Sequence, residues 1–200
     1  MRPLGSRLFW IPVALLFIWA TLGVSVAQDH PHQHGATTPD HADSGVEMMD
    51  ADKIRVLLSA HCSFPTREEL VAISADAPAL LMEIFNDPNA LPSVRMRALD
   101  ALGYFNTPET ESFLVYLLEN HGQLETRHLH HAITAYGKVA GERSIPAVRG
   151  FLEHADVQVR MTVIDALRSF AGQPGRELLQ QRLAVEPNRV VKERLELGVR

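Results

Sequence analysis

The sequence predicts an all-α solenoid of about four stacked helix pairs, and three observations lead there. A stretch recurs: "SVRMRALDALGYF" at 93–105 and "QVRMTVIDALRSF" at 158–170 share seven identities in thirteen positions at an offset of 65. A third copy, "RHLHHAITAYGKV" at 127–139, falls near the midpoint and keeps Ala132, Ile133, Ala135 and Gly137 opposite Ala98, Leu99, Ala101 and Gly103. Between the copies the apolar residues fall at helical spacing, so each period holds two helices.

The elements follow in order. Arg2 and Arg7 precede the uncharged run "LFWIPVALLFIWATLGVSVA", with Ser25 and Ala27 at the small-residue positions a signal peptidase accepts. Residues 1–27 therefore read as a secretory signal peptide, and the competing reading is an uncleaved membrane anchor whose far end Thr21, Gly23 and Ser25 weaken. Residues 28–46 are rich in Pro, Gly, Thr, Asp and Ala with almost no large apolar side chain, the composition of a disordered tail. The helical repeat domain is expected over 47–200. It begins with an amphipathic helix over 46–61, with Ile54, Leu57, Leu58 and His61 on one side. "PTREELVAIS" sets Thr66 and Glu69 at capping-box spacing, and "DAPALLMEIFNDP" resembles the later second helices, with Pro78 standing where Pro146 stands. Those second helices are expected over 108–120, 142–154 and 175–185. Thr107 can cap the first of them ahead of Pro108, Asp156 can cap the helix carrying Arg160, and Gly141, Gly172 and Gly175 mark turns. A shorter step of 31 residues carries Val159 and Ile164 to Val190 and Leu195 in the last copy, "NRVVKERLELGVR".

Composition bounds the function. With 46% hydrophobic and 22% charged residues the chain is globular in type. Removal of residues 1–27 takes away two arginines and no acid, leaving 17 basic against 24 acidic residues, a net charge of −7. No cluster of Lys and Arg with interleaved aromatics occurs, so nucleic acid is excluded as an expected partner. The single cysteine, Cys62, cannot form an intramolecular disulfide, so stability after export to the periplasm or beyond must come from packing. A thiol nucleophile paired with His61 is the alternative for Cys62, but sequence neighbours rarely reach the geometry of a nucleophile and its base.

"DVQVRMTVIDAL" at 156–167 and "VRMRALDALG" at 94–103 resemble HEAT repeats, most closely the short bacterial HEAT-like kind also seen in phycobilin lyases. The resemblance spans about residues 66–200 and implies a HEAT-like α-solenoid acting as a protein-binding or scaffolding module, its second helices lining the concave side. Its departures are the middle copy, where His128-Leu129 replace Val-Arg, and the degenerate first unit. Two activities known on such folds do not carry over. The di-iron ligands of deoxyhypusine hydroxylase come from His-Glu pairs, and no His-Glu dipeptide occurs here; phycobilin lyases work inside photosynthetic cells, against the export signal.

Arg95, Arg160, Asp100 and Asp165 recur with the repeat, which points to structural links between units rather than to a catalytic group needed once. Non-recurring residues on second helices, Tyr116, Arg149 and Glu153, are the candidates for a protein-binding face. His128 and His131 share a helical face at a spacing where two imidazoles can hold a metal, against which stands the plainer reading of one packed histidine and solvated neighbours. With no convergent acid, base or nucleophile, a non-enzyme is expected, requiring no cofactor. It is expected to be a monomer that engages a protein partner and touches a membrane only through an uncleaved first segment.

The tail offers the alternative function, metal handling in the cell envelope. Cleavage after Ala27 would start the mature chain Gln28-Asp29-His30. An amine, two backbone nitrogens and an imidazole then form the square-planar set suited to Cu(II) or Ni(II). His32, His34 and His41 add donors for these ions or for Zn(II). Cyclisation of Gln28 would remove the amine.

Overall fold

Side chains that accept the free first-turn amides set where several helices begin. In the computed structural model, which describes residues 48–60 and 63–199, Thr66 and Glu69 form the reciprocal capping box expected of their spacing, with Glu69 Oε2 accepting from the Thr66 amide at 2.7 Å. Thr107 accepts from the Thr110 amide ahead of Pro108, and Asp156 from the Gln158 amide. Asn188 does the same for the last helix, taking the amides of Val190 and Val191.

The described residues hold ten α-helices and no strand. They run α1 (Asp50–Ser59), α2 (Arg67–Ile73), α3 (Ala77–Asn86), α4 (Pro92–Leu102), α5 (Pro108–Glu119), α6 (Thr126–Ala140), α7 (Ile145–Val148), α8 (Val157–Phe170), α9 (Gly172–Leu183) and α10 (Arg189–Gly198). All lie within one compact unit, Gly45–Arg200. The expected signal peptide, the expected tail with His30, His32, His34 and His41, and the pair His61 and Cys62 lie outside the described residues.

The repeat copies form one layer, in which α4 packs on α6, α6 on α8 and α8 on α10. The second layer is α3, α5, the α7 region and α9, each against its partner in the first. Between them runs a continuous apolar core: Leu81, Ile84, Leu99, Leu102, Leu114, Ile133, Ile164 and Leu167 are fully buried. Ala101 and Ala166, at the matching position of two copies, are buried where neighbouring helices meet. Helix pairs stacked this way bury a face that no single pair could. Two layers of stacked helix pairs over one core make the α-solenoid expected from the repeats.

Three details differ from the expectation. The second helix expected over 142–154 is broken into a 3-10 turn (Gly141–Ser144), the single α-turn of α7 and a 3-10 stretch (Arg149–Glu153). Pro146 removes one amide there and Gly150 is a poor helix former, so the i→i+4 ladder does not settle. Gly141 and Gly172 do mark turns, each at φ 57°, a left-handed backbone that favours glycine. Gly175 instead sits inside α9, where an added Cβ would stand 2.7 Å from the Leu167 carbonyl oxygen; it permits a close helix crossing. In the degenerate first unit, α1 packs against both α3 and α4, so it joins the layer of first helices while the short α2 bridges the pair. Among the described residues no helix is long and apolar enough to cross a membrane.

Candidate functional site

The first-helix layer spends its polar side chains on the fold. Arg95 donates from Nε to the Phe85 carbonyl at 2.7 Å and lies over the Phe85 ring, tying α4 to the end of α3. Arg160 makes the equivalent reach, donating to the His154 carbonyl at 2.7 Å and the Ala155 carbonyl at 3.1 Å. Each arginine thus satisfies carbonyls that the end of a second helix leaves open. The recurring aspartates link successive first helices: Asp165 accepts from Arg194 Nε at 2.7 Å and Asp100 from His131 Nδ1 at 2.7 Å. The middle unit therefore keeps the ladder with a histidine where α10 supplies arginine.

The histidines of α6 do not converge. His128 is buried with its ring edge-on to Phe85, and Nε2 has no partner in its buried surroundings. Burial, reinforced by the Arg95 charge, pushes its imidazole pKa below the ordinary value. His130 is also lowered by burial. The Thr162 hydroxyl donates to the Gln158 carbonyl, so His130 Nδ1 donates to Thr162 Oγ1 at 2.7 Å. The three imidazoles each face a different neighbour, so the shared-metal reading of His128 and His131 has no geometry behind it. No group of three or more His, Cys, Asp or Glu side chains among the described residues is arranged to hold a metal ion.

The second-helix layer is different. Tyr116 on α5 is 57% exposed, and it lines a shallow cleft of about 450 Å³ with Pro108, Glu111 and Glu119. Next along the face, a cleft of about 540 Å³ lies between the end of α5 and the 3-10 stretch, lined by Leu118, Glu119, His121, Pro146, Phe151 and Glu153 among others. A third, of about 290 Å³, takes in Arg149, Glu153 and Arg182 toward α9. The clefts share Glu119 and then Gly150 and Glu153, so Tyr116, Arg149 and Glu153 stand on one run of linked depressions rather than at one point.

Sequence reading missed the centre of this run, Phe151 between His121 and His154. The His121 ring meets Phe151 edge-on at 4.9 Å, and the His154 ring is tilted at 6.3 Å. Their only sequence signal is that none of them recurs in the repeat. His121 lies outside the expected helices, and only the fold brings it to Phe151.

One layer is thus committed to intramolecular links, and the other carries the clefts. Residues 124–200 match the family model for HEAT repeats, and the stacked helix pairs are consistent with a HEAT-like α-solenoid. The match begins just before α6; the pairs upstream are carried by the structure and the internal repeat. HEAT repeats generally mediate protein–protein interaction or scaffolding and are typically non-catalytic. No curated protein matches the chain.

Proposed function

We propose that this protein is an exported scaffold that holds a partner protein against its second-helix face, in the periplasm or outside the cell. The observation that carries this reading is the linked run of clefts through Tyr116, Glu119, Arg149 and Glu153. The opposite layer's recurring charges are already engaged within the fold. The sequence of residues 1–27 supports export. A photo-reactive amino acid placed at Tyr116 should give a protein adduct in cells exporting the chain, and one at Lys192 on α10 should not. Arg149→Glu combined with Glu153→Arg should cut the Tyr116 adduct while leaving circular dichroism unchanged. Adducts from Lys192 alone would move the interface off this face.

A second reading, metal handling by the tail, is favoured by His30 standing third after Ala27. Mature protein beginning at Gln28 should bind Cu(II) more tightly than either His30→Ala or a form with one extra N-terminal residue, because only the first retains the terminal chelate. Equal binding by all three would leave only loose coordination by His32, His34 and His41; no binding at micromolar metal would leave a tether.

A further inference from the structure

We propose that the cleft between α5 and the 3-10 stretch seats a lysine or arginine side chain from an extended segment of the partner. This rests on the protein-binding reading above and names the chemistry of its ligand.

The floor is apolar: Leu118 and Phe151 are buried beneath it and Pro146 flanks them. The rim is acidic. Glu119 is exposed and has no hydrogen-bond or ion-pair partner among the described residues. The Glu153 side chain is 81% exposed and 3.9 Å from Arg182, whose nearer carboxylate is Glu186 at 2.7 Å. A long side chain with an alkyl stem and a cationic head fits this pair of surfaces, the stem covering Phe151 and the head reaching either carboxylate.

The charge pattern extends past this one cleft. The α5 cleft adds Glu111, and a further cleft between α3 and α5 adds Asp76 and Glu109; no Lys or Arg lines any of the three. Arg143 neutralises Glu111 from outside, donating to both its oxygens at 2.6 and 2.7 Å, which leaves Asp76, Glu109, Glu119 and Glu153 facing solvent or the clefts. An approaching basic segment would be steered to this side, and an acidic one turned toward Arg149 and Arg182 near α9.

A metal ion fits the same cleft poorly. His154 Nδ1 accepts from the Asp156 amide, so its neutral ring carries the proton on Nε2 and offers no lone pair there. His121 Nδ1 donates to the Leu118 carbonyl at 2.9 Å, leaving a single imidazole nitrogen toward the cleft.

Gly150 makes the test clean. Gly150 lines the cleft, and an added Cβ there meets no atom within 4 Å, so the backbone has room for Gly150→Leu, a bulkier side chain at the opening. Capped, fluorescein-labelled Lys-Ala-Lys-Ala-Lys should bind the full exported chain in preference to the Gln and Glu counterparts, read by anisotropy at physiological salt. Glu119→Gln with Glu153→Gln, and separately Gly150→Leu, should each weaken binding about fivefold or more. Glu68→Gln with Glu196→Gln, the same change in net charge on helices outside the face, should leave it within about twofold. Sedimentation and circular dichroism confirm that each variant is folded. Equal binding of the Gln peptide, preference for the Glu peptide, wild-type affinity in the Glu119/Glu153 variant, or no saturable binding would each overturn the proposal. So would a dimer abolished by Gly150→Leu, because the occupant would then be a second copy. If the Tyr116 adduct persists through such a failure, the docking face stands and only its preference for basic side chains falls.

Discussion

At the scale of single residues, His128 is the position where the chain departs furthest from its own repeat. The matching copies place Val94 and Val159 there, both buried, and α6 buries an imidazole instead with Nε2 unpartnered. An unsatisfied buried polar atom costs on the order of 1–3 kcal/mol. Burial also holds His128 and His130 below the ordinary imidazole pKa. The unfolded chain therefore binds more protons than the native one as pH falls through about 6.5. Stability is full above that pH and drains away toward the lowered native pKa. His128→Leu should accordingly gain about 1 kcal/mol at neutral pH. It should also lose less stability than wild type between pH 7.5 and pH 5.5, measured by urea unfolding. An unchanged acid loss would place the sensitivity at His130 or elsewhere. Glu186 shows the opposite case. Burial alone would raise its pKa, but the Arg182 hydrogen bond, the Asn188 amide and the charges of Arg160 and Arg182 outweigh it and hold the carboxylate below the usual range.

At the scale of elements, small residues decide how closely the first helices approach. Ala101 is fully buried and Ala166 nearly so, and Ala166 lies against the backbone of Gly137 on the neighbouring α6. Ala101→Asp and Ala166→Asp should each destabilise by about 3 kcal/mol or more, because a carboxylate would be buried there without a partner. Thermal unfolding of both variants checks the register as well as the burial, since equivalent positions must respond alike. One unfolded variant beside one silent one would mean that the two copies are not in the same environment. Helix ends were legible to the same degree as these contacts. Thr66, Thr107 and Asp156 act as the caps their spacing suggests, since a cap depends only on residues two or three apart. The α7 region was not legible. Its apolar spacing is helical, and whether the backbone closes α or 3-10 turns depends on Pro146 and on how the segment lies against α6 and α8.

For the molecule as a whole, stability should reside in the stacked pairs. Most contacts run between helices that are next or next-but-one in the chain, as expected of a quasi-one-dimensional fold that needs no disulfide. Deleting residues 28–45 from a form that begins at Gln28 should leave the thermal midpoint nearly unchanged, because so polar a stretch has little apolar surface to bury. A loss of several degrees would show that the stretch packs on the helices.

Repeat period, fold class and the structural character of Arg95, Arg160, Asp100 and Asp165 were determined by the sequence alone. Each depends on a pattern that recurs along the chain, and recurrence is visible without coordinates. The same reasoning made Tyr116, Arg149 and Glu153, read as non-recurring residues of second helices, the candidates for a binding face. Only the tertiary structure decided what those residues share. Glu119 closes α5, His121 follows it in a turn, and Phe151 and Glu153 belong to a broken segment about thirty residues on. They meet because α5 and the α7 region stack side by side, a distance set by the packing of α6 and α8 beneath them and written in no local pattern. His131 found Asp100 for the same reason: the partner lies 31 residues away, one repeat down the stack, where helical spacing along a single element cannot reach.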